Sequence, residues 1–213
     1  DGSIIDIRKD NTTVGSIGTR SSGLVVGSGD TGLFYDGGGD RIFPESPSGG
    51  AARDAAIDLG TSVARFKDLY LSGGVYLGGV AAANKLDDYE EGTWTPTINS
   101  GTIVVADARY TKIGRLVQVS ASVADMSDNT SAVDITIGGL PFTSTSDNKG
   151  VGSAMFRYFT KTNAIQMTTY ISASTNNLVF YWSFNSNTAW TPVQFDDGGQ
   201  ANMDIIFTAT YIV

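Results

Sequence analysis

Apolar side chains recur along residues 1–50 in short clusters: Ile4-Ile5-Asp6-Ile7, Val14-Gly15-Ser16-Ile17, Leu24-Val25-Val26, Leu33-Phe34-Tyr35 and Arg41-Ile42-Phe43. Between them stand Asp10-Asn11, Ser21-Ser22-Gly23, Ser28-Gly29-Asp30 and Asp36-Gly37-Gly38-Gly39, residues that supply tight and left-handed turns. The pattern predicts short strands and turns, a β-meander or β-solenoid. Each cluster offers only two or three large apolar side chains, so the front is expected to complete its core by association of identical chains. Ala51–Ala56 is expected to form a short helical turn, and Val80–Tyr89, without Gly or Pro, a short helix.

From residue 93 onward the runs are longer and alternate with period two: Thr93–Ile98, Thr102–Ile113, Leu116–Met126, Ala132–Ile137, Gly150–Thr160, Ala164–Ser172, Asn177–Phe184, Ala189–Phe195 and Asn202–Val213. In the run from Leu178 to Phe184, the even positions Leu178, Phe180, Trp182 and Phe184 share one face; Val179, Tyr181 and Ser183 share the other. The final run is apolar to the terminus and is expected to lie centrally in a sheet or between subunits. The whole chain is thus expected to be all-β. A shaft segment spans 1–72, a Gly-rich and acidic connector 73–92, and a jelly-roll-like β-sandwich 93–213.

Composition sharpens this division. Of 26 glycines, 18 fall in residues 1–92 and 8 in the rest. Glycine inside regular structure costs roughly 0.5–1 kcal/mol relative to Ala, so the front is a poor candidate for a free-standing monomeric globule. The chain has no Cys and no His, which excludes thiol and imidazole nucleophile systems, disulfides and the common zinc sites. With 22 acids against 14 bases and a net charge of −8, it is a poor ligand for nucleic-acid phosphates. No apolar run approaches the ~20 residues that span a bilayer, so membrane insertion is not expected. The start at Asp1 has no signal-peptide pattern and reads as part of something longer.

A resemblance enters at residues 57–79. Ile57-Asp58-Leu59-Gly60-Thr61-Ser62-Val63-Ala64-Arg65-Phe66-Lys67-Asp68-Leu69-Tyr70-Leu71-Ser72-Gly73-Gly74 resembles a DLG-S-ARFKDLYLSGG segment of tail-fibre and related structural proteins of tailed bacteriophages. Asp88-Tyr89-Glu90-Glu91-Gly92-Thr93-Trp94-Thr95-Pro96 is similar to the DYEEGTWTP junction preceding a C-terminal β domain in such proteins. Arg109–Val117 and Ile137–Phe142 resemble the RYTKIG-LV and I-GLPF strings of that domain. The resemblance implies a virion appendage, normally homotrimeric. It would be joined to other tail proteins through a preceding part, and its distal domain would face a glycan or protein of the host surface.

Candidate chemistry is correspondingly thin. Gly29-Asp30 and Asp36-Gly37 lack the alternating oxygen ligands and closing Glu of a calcium loop and are expected to be turns. Asp87, Asp88, Glu90 and Glu91 are expected to be a solvated linker rather than a catalytic pair. No metal and no cofactor is expected. Receptor contacts are expected on three loops. Asn185, Asn187 and Trp190 mark one tip, Asp147 and Asn148 a second, and Asp196, Asp197 and Gln200 a third. Trp190 has a competing reading as a packing residue, and the Asp196-Asp197 pair as a cation ligand or turn closure. Three function classes follow: a trimeric receptor-binding fibre, a purely structural virion appendage, and, least favoured, a polysaccharide depolymerase. The expectation is a non-enzymatic fibre tip.

Overall fold

The structure is a computed structural model describing residues 1–147, 149–185, 189–198 and 202–213. It is all-β with antiparallel sheets, and it divides into two compact units, Asp1–Tyr70 and Leu71–Val213.

The first unit is a six-stranded meander of β1 (Gly2–Lys9), β2 (Thr12–Arg20), β3 (Gly23–Ser28), β4 (Thr31–Asp36), β5 (Arg41–Ser46) and β6 (Ala51–Ala52), paired in chain order. Its turns are where the sequence placed them. Asp10 and Asn11 both take positive φ, 48° and 64°, between the paired Lys9 and Thr12, the demand of a two-residue hairpin. After β4, the Asp36 carboxylate accepts from the Gly38 and Gly39 amides and from Arg41, closing a four-residue turn.

Pairing register sorts the side chains into two faces. Val25, Phe34 and Phe43 lie opposite one another on the first face, with the Phe34 and Phe43 rings 5.0 Å apart. The loop after β5 folds over that face. Cβ atoms at Gly27 and Gly32 would stand 2.6 and 2.5 Å from Pro47 Cγ, so only glycine admits the loop. Beneath it Glu45 is fully buried, its Oε2 2.7 Å from an Arg20 guanidinium nitrogen. The second face is uncovered. Ile5, Ile17, Val26, Leu33 and Pro44 form one row across five strands, and Leu24, Tyr35 and Ile42 another.

The second unit begins with a two-stranded pairing of β7 (Val75–Tyr76) and β8 (Lys85–Leu86) and continues into one ten-stranded sheet. Its strands are β9 (Tyr89–Thr93), β10 (Thr97–Ile98), β11 (Val104–Ile113), β12 (Leu116–Met126), β13 (Thr136–Gly138), β14 (Gly150–Arg157), β15 (Ala164–Ile171), β16 (Leu178–Phe184), β17 (Thr191–Pro192) and β18 (Met203–Ile212). Among the described residues the order is β10-β13-β16-β15-β14-β18-β12-β11-β9, with β17 beside β16. The terminal strand β18 is central, between β14 and β12, as its apolar run predicted.

This sheet curls on itself. Strands β16 and β18 are three ladder spacings apart, about 14 Å in a flat sheet, yet the Phe180 and Phe207 rings meet at 5.4 Å. Trp94 reaches the same Phe207 at 6.3 Å. Inward positions of β12, β16 and β18, among them Val117, Val119, Val123, Phe180, Trp182 and Phe207, fill one core.

Two helical expectations are corrected. Ala51-Ala52 pairs with β5, and Ala55 has φ +52°, so no helical turn forms over Ala51–Ala56. Over Val80–Tyr89 only a 3-10 turn, Ala82–Asn84, survives between β7 and β8. Isolated helices this short are marginal in water, whereas a neighbouring strand supplies ladder bonds at once.

Candidate functional site

Strand alternation builds an aromatic groove on the outer face of the second unit. In β15, Met167, Thr169 and Ile171 point inward, leaving Thr168 and Tyr170 outside; in β16, Phe180 and Trp182 point inward, leaving Tyr181 and Ser183 outside. Thr168 and Tyr181 are cross-strand partners, which brings the outward aromatics together. Tyr170 and Tyr181 meet edge to face, 5.6 Å apart at 90°. Trp190 adds its ring to Tyr181 at 6.4 Å. The Lys149 ammonium lies 5.9 Å from the centre of the Tyr170 ring.

Together with Val151, Gly152, Thr168 and Ser183, these residues line a groove of about 510 Å³, within the ~300–1,000 Å³ typical of small-ligand clefts. Trp190 is 72% exposed, which overturns its packing reading: it precedes β17, which pairs with β16, and its indole lies beside the outward Tyr181.

Of the other expected contact residues, Asp147, Asn185 and Asp196 are exposed, while Asn148, Asn187 and Gln200 lie outside the described residues. Asp197 departs from its expected solvent-facing place. It is buried at the end of the 3-10 turn Phe195–Asp197, where its carboxylate accepts from the Trp182 indole at 2.8 Å, from Lys161 at 2.6 Å and from the Gln194 amide at 3.0 Å. The structure therefore brings Trp190 to the end of the Ser146–Lys149 loop and separates Asp197 from it. Tyr170 and Tyr181 were missed as site residues, although the alternation already set Tyr181 opposite Trp182.

The acidic segment is also reorganised. Tyr89–Thr93 is the edge strand β9 of the large sheet, paired with β11, rather than a free linker. Period two sends neighbouring acids to different partners. Asp87 pairs with Lys85 at 3.0 Å, and that hydrogen bond holds its carboxyl below the usual range. Asp88 pairs with the nearly buried Lys112. The Tyr110 hydroxyl donates to Glu90 and the Tyr89 hydroxyl to Glu91, pushing both phenols up. Among the described residues no group of three or more Asp and Glu side chains could hold a metal ion. Among the described residues no helix is long and apolar enough to cross a membrane.

In the first unit the open face of the meander leaves Ile5, Leu24, Leu33 and Ile42 exposed together. The segment after it leaves Leu59, Val63, Phe66, Leu69 and Tyr70 exposed as well, Val63 at 93%. No protein-family model, curated relative or solved structure matches the chain.

Proposed function

We propose that this chain is the distal part of a bacteriophage tail fibre, a homotrimer that attaches the virion to the host cell surface. The observation that carries the reading is the run of strings over residues 57–142 that resemble tail-fibre proteins. The open apolar face of the meander supports association, because rows such as Ile5-Ile17-Val26-Leu33 gain stability only when another surface removes them from water. Identical copies are the partner of matching pattern, and three linked tips multiply weak single-site contacts.

On this reading the Gly-rich meander is shaft, and the curled sheet is a jelly-roll-like tip. Strands β10, β13 and β16 form one wall of the tip, and β18, β12, β11 and β9 the other; the meeting of Phe180 with Phe207 supports that view. The tip acts by surface recognition rather than catalysis, within the virion and at the host exterior. Its partners are the other two copies, the preceding tail proteins and a host glycan or protein.

The test is competition. Purified trimer should bind host cells and block adsorption of phage carrying this chain. A trimer that does neither would leave a purely structural appendage as the function.

A further inference from the structure

We propose that the groove of Lys149, Tyr170, Tyr181 and Trp190 binds a uronic-acid residue of an acidic saccharide. The inference deepens the attachment reading and rests on it only for where such a saccharide is met.

The chemistry follows from the lining. A pyranose ring presents a face of C–H bonds carrying slight positive charge, and the π faces of Trp and Tyr carry the complementary negative quadrupole. Trp190 and Tyr181 present such faces at 63° to each other, a corner rather than a flat plate. That corner suits a bulky ring more than an extended peptide. Thr168 and Ser183 also line the groove; the Thr168 hydroxyl donates to the Tyr181 carbonyl at 3.5 Å and can accept from a sugar hydroxyl, and the Ser183 hydroxyl can do either.

Charge selects among saccharides. Acids outnumber bases in the chain as a whole, yet among the described residues no acid lines this groove, and the one charged lining residue is Lys149. Among the described residues no carboxylate stands within salt-bridge distance of the Lys149 ammonium. An ammonium on the rim of an aromatic corner is placed to pair with a carboxylate on a ring stacked there.

The protein's own fluorescence provides the test. Trp94 and Trp182 are buried, so quenching by acrylamide reports Trp190. The full 213-residue chain is titrated with trigalacturonate, an oligomannuronate and a hyaluronan tetrasaccharide, and with the methyl ester of trigalacturonate as an uncharged match. At least one acidic oligosaccharide should give saturable quenching and protect the indole from acrylamide. Trp190→Ala should weaken that binding about tenfold or more. Lys149→Gln should weaken it about threefold and leave any ester binding unchanged.

Three results would overturn the proposal: no acidic oligosaccharide binds; the ester binds as well as the acid; or acrylamide fails to reach Trp190 in the free protein, which makes the groove an interface between copies. The two readings fail separately. Uronate binding by a chain that does not block adsorption sinks attachment alone, and a Trp190→Ala chain that still blocks adsorption sinks the groove alone.

Discussion

The indole nitrogen of Trp182 donates to the carboxylate of Asp197 across 2.8 Å, joining β16 to the 3-10 turn at Phe195–Asp197. Lys161 completes the pair from a third segment. At this end of β16 a buried donor, a buried acceptor and a partly exposed cation satisfy one another.

Removing the acceptor should therefore be costly. Asp197→Ala strands the Trp182 N–H in the core and Lys161 beside it, and a loss of about 3 kcal/mol is expected. Urea unfolding followed by the fluorescence of the buried tryptophans measures it. A loss under half of that would mean the turn holds without the carboxylate.

In the meander the buried Glu45 pairs with the partly exposed Arg20. Arg20→Met alone leaves an uncompensated buried carboxylate and should destabilise the first unit by about 3 kcal/mol, whereas Arg20→Met with Glu45→Leu should restore most of the loss. A double-mutant cycle on thermal unfolding reads the coupling.

Acid stability should depend on Asp128. Hydrogen bonds from Ser100 first, then Ser131, hold its carboxyl down to about 2 from 3.8. A depressed carboxyl stabilises the fold above its unfolded value, and that contribution disappears as pH falls from about 4 to about 2. Asp128→Asn should flatten the acid limb of the stability curve over that window while leaving the neutral-pH fold intact by circular dichroism.

Tyr211 should contribute to the alkaline limb. Burial pushes its phenol up to about 12 from 10.0, while its hydroxyl donates to the Phe142 carbonyl at 3.1 Å. A raised phenol contributes fully below the unfolded value and loses that contribution as pH rises from about 10 to about 12. Tyr211→Phe should reduce the step in that window, leaving the share of the raised Tyr89 and Tyr110 phenols, and cost about 1 kcal/mol at neutral pH for the lost bond.

The open face of the meander predicts the assembly state. Leu24→Lys with Leu33→Lys places like charges in adjacent rows of the apolar face, without touching the Val25-Phe34-Phe43 side. Sedimentation should show the proposed trimer dissociating while the second unit keeps its thermal transition. A trimer unaffected by both lysines would exclude this face as the interface.

Strand positions were legible where burial on one side of a sheet imposes period two over a long run, as in Leu116–Met126, which matches β12 end to end; of Thr93–Ile98, Ala132–Ile137 and Ala189–Phe195 only short pieces pair. Helical readings failed at Ala51–Ala56 and Val80–Tyr89 because alanine favours helix only weakly, and pairing to a neighbouring strand outweighs that preference. The groove was half legible. Trp190 stood out as a loop aromatic, but Tyr170 and Tyr181 belong to β15 and β16 and meet only through their register.

The sequence by itself determined the all-β class, the turns at Asp10-Asn11 and after Asp36, and the shortage of chemistry in a chain without His or Cys. These are local consequences of residue type and spacing. Only the tertiary structure decided that Asp197 is buried while Trp190 is exposed, and that the contiguous acids Glu90 and Glu91 serve different phenols. Those outcomes depend on which strand lies beside which and how far the sheet curls. That information resides in long-range pairing, and no single stretch of the chain carries it.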